Sequence, residues 1–161
     1  MSNISELEDY LKDVVFISRY EMQNIIKDFS KEIIDLNKYQ IFVNGEQANN
    51  ENLKSTNSTP GVYSEFTENL HKGENFTFNG KTKHKIAGDK YFLVDTGSFF
   101  SSFRVETNDK GFKIEAQTIK PKTDMIAEYG DIVGLNDENF DFICDQIFNQ
   151  YCNVLVSYLE L

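Results

Sequence analysis

The chain has no tryptophan, two cysteines, two histidines and two prolines in 161 residues, and these scarcities remove whole classes of explanation. Cys144 and Cys152 stand eight positions apart in a segment with helical spacing. That separation rises about 12 Å along a helix, beyond the ~7 Å between Cα atoms that a disulfide tolerates, so they read as core thiols. His71 and His84 have no second Cys or His at metal-ligand spacing, so neither a zinc site nor any other cofactor is expected. No apolar run approaches the ~20 residues needed to cross a bilayer, and "MSNISELEDY" has neither the basic nor the apolar region of a signal peptide. The expectation is a soluble protein, cytosolic at synthesis, with no membrane partner. Positive charge is scarce too: 16 Lys and Arg face 26 Asp and Glu, a formal net charge of −10. Such a surface repels phosphate backbones and anionic lipid, and nucleic-acid binding by the surface at large is not expected.

What the sequence does have is patterned apolar and aromatic residues, enough for one domain spanning 1–161. "ISELEDYLKDVVFI" predicts a short helix with its cap at Asn3 or Ser5. Ser18 and Glu21 form a capping box that predicts a second helix, with Ile25, Ile26, Phe29, Ile33 and Leu36 on one face, running to about Val43. Residues 44–61 are polar and rich in Asn, Ser and Thr, the composition of a long surface loop and a candidate contact region. "YSEFTENLHKG" reads as a short helix capped at Ser64 and closed by Gly73. Period-two spacing then predicts strands between about 75 and 119, with a turn at Asn79-Gly80 and a hairpin from Phe103 to Ala116 through Asn108–Gly111. A short helix follows from Thr123 to Gly130. The last helix, 136–158, is capped by Asn136 and carries Phe140, Ile143, Ile147, Tyr151, Val154 and Tyr158 on one stripe. Phe142, Phe148, Leu155 and Val156 widen that apolar surface beyond one stripe and are candidate interface residues. The fold class is α+β: N-terminal helices, a small antiparallel sheet, and a long C-terminal helix packed on it.

One stretch invites a catalytic reading. "KYFLVDTGSFFSSF" runs a hydrophobic segment into Asp95-Thr96-Gly97, the presentation used by retropepsin-like aspartic proteases. Those enzymes need two carboxylates sharing a proton, so a chain with one such loop must dimerise. "DIVGLN" imitates their later apolar-apolar-Gly step, but Gly134 follows Asp95 by only 39 residues and 94 residues precede it. The intervening sequence offers one hairpin and a short helix, too few strands for that scaffold. The other reading is a strand ending in a turn, where Asp, Thr and Ser bond nearby backbone N–H groups and Gly97 permits the bend.

Four motifs in order resemble a known family, the phage virion-morphogenesis proteins that complete the neck or tail and join head to tail. Its hallmark, an apolar-x-Asp-Thr-Gly segment followed by an aromatic, a Ser-apolar pair and a hairpin, stands here as Leu93, Asp95, Thr96, Gly97, Phe100, Ser102 and Phe103. Versions in crAss-like and related Bacteroidetes phages carry three further motifs. These match "IIDLNKYQI" from Ile33, "YSEFTE" with Tyr63, Ser64 and Thr67, and "YGDIVGLNDEN" with Tyr129, Gly130, Gly134 and Leu135. The longer Asn-rich stretch at 44–61 and Ser98, where related chains often have an acid, depart from the pattern. The resemblance implies a non-enzymatic virion protein, made in the bacterial cytoplasm. It would form a homo-oligomeric ring between portal and tail, touching portal, adaptor or tail proteins, with DNA only as the passing genome. An acidic inhibitor or immunity-type protein, bound one to one to a basic partner, is the further alternative that the charge suggests.

Overall fold

The structure, a computed structural model, describes residues 4–54 and 61–158. Helix α1 (Ile4–Asp28) is continuous where the sequence predicted two helices. Ser18 and Glu21 lie inside it, because a Ser three before a Glu fits a helix interior as well as a start. Ser18 Oγ is occupied by the Tyr151 hydroxyl instead of a backbone N–H. Asn3, the other proposed cap, lies outside the described residues. The real interruption is Phe29, with ψ of 0°, although its N–H and C=O still bond Ile25 and Ile33. Helix α2 (Ser30–Tyr39) then widens into a π-helical turn, Gln40–Asn44, rather than continuing as α-helix to Val43. Lys83 Nζ donates to the carbonyls of Phe42 and Val43, both at 3.0 Å, which satisfies acceptors that a helix end leaves open.

The strands form three separate two-stranded antiparallel ribbons rather than one sheet: β1 (Phe76–Phe78) with β2 (Lys81–Lys83), β3 (Arg104–Asn108) with β4 (Gly111–Glu115), and β5 (Ile119–Lys120) with β6 (Thr123–Asp124). The two hairpins read from turn chemistry appear where expected. Asn79 and Gly80 both adopt positive φ, the signature of the tight turn that Asn-Gly favours. Among the described residues four more helices follow: α3 (Glu65–Leu70), α4 (Ser98–Ser101), α5 (Met125–Tyr129) and α6 (Asp137–Tyr158). Asp124, not Thr123, caps α5, its carboxylate accepting from the N–H groups of Ile126 and Ala127. Asn136 caps α6 through Asn139 N–H at 3.0 Å. The α+β class stands.

Phe42 is the centre of the core. Its ring meets Phe92 at 5.2 Å, Phe78 at 5.9 Å and Phe100 at 6.5 Å between centroids, all edge-on, the geometry aromatic quadrupoles prefer. Helix α6 buries Ile143 and Ile147 and lies antiparallel to the α1–α2 rod. Asn139 meets Gln40 at one end and Tyr151 meets Ser18 at the other. It rests mainly on α1 and reaches the β3–β4 ribbon through Phe140 against Phe112. The first turns of α1 outrun it, so Leu11 is 53% exposed and Ile4 77%.

The stretch read as a surface loop is surface only in part: residues 49–52 and Lys54 are exposed, but its two flanks turn inward. Leu53 and Gln47 are buried, and Glu46 bridges Asn52; residues 55–60 lie outside the described residues. The loop turns inward because Gln47, with Asn37 and Gln40, supplies the polar partners of a buried irregular strand of backbone. Asn37 accepts from Gly134 N–H at 3.1 Å and donates to Ile132 O at 3.4 Å. Gln40 donates to Gly134 O at 3.3 Å and accepts from Asn136 N–H at 2.8 Å. Gln47 accepts from Asp131 N–H at 2.9 Å while its amide donates to Asn52 O. Ala48 N–H to Asp131 O and Lys54 N–H to Tyr129 O complete the set.

Gln40→Leu keeps the volume and orphans the buried Asn136 N–H and the half-buried Gly134 carbonyl, at about 1–3 kcal/mol each. Its unfolding free energy in urea should fall by about 2–4 kcal/mol, and a loss under about 0.5 kcal/mol would show that the clamp is dispensable. Gly130→Ala should destabilise further, since Gly130 has φ of 95° and a Cβ there would land on the Gln47 carboxamide.

Candidate functional site

The four motifs converge. "IIDLNKYQI" provides Asn37 and Gln40, which grip "YGDIVGLNDEN", while Tyr63, Leu93, Asp95 and Tyr129 line one concave pocket of about 630 Å³. Tyr63 stacks edge-on against Tyr91 at 4.8 Å and Phe92 at 5.3 Å, and its hydroxyl accepts from Phe92 N–H at 3.2 Å. Tyr129 meets Tyr91 at 5.8 Å. Ser64 caps α3, its oxygen accepting from Thr67 N–H at 3.2 Å. Leu135 packs against the core, and Gly130 and Gly134 bring the backbone close to Gln47 and Ala48.

The approach to Asp95 is not the predicted strand. It is extended chain anchored by one bridge, Val62 to Lys90, because Leu93 adopts φ of 50° and breaks the pleat. A bulky side chain in that region costs about 1–3 kcal/mol, which packing of Leu93 against the core must offset. The turn itself matches the second reading. Thr96 Oγ1 donates to Ser98 Oγ at 3.0 Å, and Gly97, with φ of 78°, opens α4. That short helix sends Phe99, Phe100 and Phe103 into the core. Ser102 Oγ donates to Phe99 O and accepts from Gln117 N–H at 2.9 Å, tying α4 to the segment after β4.

Asp95 forms an ion pair. Its carboxylate lies 3.3 Å from the buried ammonium of Lys85 and 3.9 Å from His71 Nε2. His71 Nδ1 faces Glu74 at 2.8 Å, so the proton sits on Nδ1 and Nε2 is left to accept from Lys85 at 3.3 Å. The Lys85 ammonium also stands 4.6 Å over the Phe76 ring, a favourable cation–π distance. This row of groups links the DTGS turn to β1 and to the end of α3. Lys85, His71 and the buried amides were not found by sequence reasoning; nothing in the spacing of "KTKHKIAG" marks Lys85 as internal. Among the described residues no group of three or more His, Cys, Asp or Glu is gathered as a metal site, and both thiols are free and half-buried.

The candidate interface residues lie on the outer side of α6. Phe142, Phe148 and Val156 are exposed, and Leu155 is half-buried. No helix among the described residues is long and apolar enough to cross a membrane. No family model, curated protein or solved structure matches the chain.

Gly97→Val places a β-branched residue in the left-handed region and should cost at least about 2 kcal/mol in urea unfolding. Asp95→Asn, on the exposed member of the pair, should cost about 1 kcal/mol or less. The reverse ranking would mean that the ion pair, not the turn, holds this segment. Burial pushes the Tyr129 hydroxyl up to about 12 and also raises that of Tyr63. The stability from these neutral phenols is complete below the ordinary tyrosine value of 10.0 and, for Tyr129, is lost as pH rises from there towards 12. With no tryptophan in the chain, absorbance at 295 nm should resolve a late-titrating fraction. Titration of every tyrosine near pH 10 would contradict this burial.

Proposed function

We propose that this protein is a structural subunit of a tailed-phage virion, a connector, neck or tail-completion component that assembles as a ring between portal and tail. The observation that carries the proposal is apolar surface left uncovered on the helical side. Phe148 on α6 is 60% exposed and Phe16 on α1 73%, and Leu11 and Ile4, on the face of α1 that is buried at Ile25, are 53% and 77% exposed. Large apolar side chains left exposed on both long helices are the candidate contacts with another molecule. The four motifs support the same reading, since their residues clamp, cap and pack one another, with Asp95 held in an ion pair. Work done by such a subunit lies in its surfaces. A net charge of −10 also suits a ring that lets DNA pass without holding it.

Light scattering on the purified protein, together with mass spectrometry of purified virions, tests the proposal. A multimer present in the particles at stoichiometric copy number is the expected result. A strict monomer absent from virions would overturn it, and a tight one-to-one complex with a basic partner would favour the inhibitor alternative.

A further inference from the structure

Lys85 differs from the other paired cations of this chain in its burial. Its side chain is 7% exposed, whereas every other Lys or Arg held in an ion pair among the described residues is at least 52% exposed. An ammonium taken out of water is costly unless its partners compensate it in full. Here the partner carboxylate, Asp95, is itself 64% exposed and remains largely hydrated.

The groups around this pair are placed for proton transfer. His71 Nε2 stands 3.3 Å from Lys85 Nζ and 3.9 Å from Asp95 Oδ1. Glu74, 2.8 Å from Nδ1, holds the ring so that the lone pair of Nε2 faces the amine. One imidazole therefore reaches both a nitrogen nucleophile and a carboxyl oxygen. The Phe76 ring, 4.6 Å from Nζ, packs against the ammonium, and Nζ and the carboxylate are already at the separation of a near-attack pair.

We propose that Lys85 and Asp95 condense into an intramolecular isopeptide bond, with His71 carrying the proton. Nε2 takes one proton from the ammonium and passes it to Oδ1, which leaves a neutral amine beside a neutral carboxylic acid. Nζ then bonds to Cγ and sheds a second proton to Oδ1. The Cγ–Oδ1 bond breaks, water departs through the exposed side of Asp95, and His71 is returned neutral. No oxidant, reductant or metal enters the balance. The product is an amide, so the buried charge is gone, and the bond closes a ring over Ile86–Val94 that locks Leu93, at φ of 50°, in place. His71 acts on the reacting atoms, and Glu74 is a positioning residue. The inference stands on this geometry and goes beyond the assembly role, which neither requires nor excludes it.

Intact-mass measurement of the full-length wild-type chain tests it. The expected mass is one water below that of the sequence, and trypsin should leave Lys85 uncut and release a branched peptide joining residues 84–90 to 91–104. Lys85→Arg and Asp95→Ala should keep their full sequence masses. Asp95→Asn should lose ammonia instead, because a carboxamide condenses with the same amine. His71→Gln should slow the appearance of the mass loss at least about tenfold, the loss of a general acid–base group. A succinimide at Asp95 also lacks one water, but hydroxylamine opens it and leaves an isopeptide intact. Wild type that keeps its full mass after prolonged incubation, or a water loss that hydroxylamine reverses, overturns the cross-link and leaves the assembly role untouched.

Discussion

The segment from Tyr129 to Asn136 is neither helix nor ribbon over most of its length, yet Ile132 at its middle is fully buried. Buried peptide groups without partners are costly, so an irregular strand can run through a core only if something else supplies its hydrogen bonds. Here the side-chain amides of Asn37, Gln40 and Gln47 do so, helped by the backbone of Ala48 and Lys54. Much else follows from this clamp. The π-helical turn begins at Gln40, the 45–54 stretch must fold inward to deliver Gln47, and Asn136 is fixed where it can cap α6.

The clamp is linked to the aromatic core through its two ends. Past Gln40, the chain places Ile41 and Phe42 fully inside, and Phe42 gathers the rings brought by β1, by the Tyr91–Val94 stretch and by α4. Before Gly130, Tyr129 closes the pocket against Tyr91. The DTGS turn and the amide clamp are therefore two supports of one body, joined through Tyr91 and its neighbour Phe92.

The sequence was legible wherever a local chemical signal decided the conformation. Asn79-Gly80, Asn108–Gly111, the Ser64 and Asn136 caps and the period of α6 each depend on neighbours within a few residues, and each is found in place. It was less legible where tertiary partners decided. The Ser18–Glu21 pattern reads as a helix start until Tyr151 is seen to occupy Ser18. Polar Asn37 and Gln40 sit on the buried face of a helix, against the usual partition of polar residues outward, because their partner is a strand nearly a hundred positions away. The geometry of the candidate site was partly legible: the turn at Asp-Thr-Gly followed from context, but the Lys85 ion pair required the fold.

The contact between Ser18 and Tyr151 spans 133 positions, and that separation has a kinetic meaning. Contacts so distant in sequence form only after a large loop closes, and chains dominated by them fold slowly. The hairpins and α2 depend on near neighbours in sequence, whereas the packing of α1 against α6 joins the two ends of the chain. Until that packing forms, the longest helix of the chain presents its apolar stripe to whatever else is nearby, so the interval before α6 docks is when this protein is most exposed to misassociation.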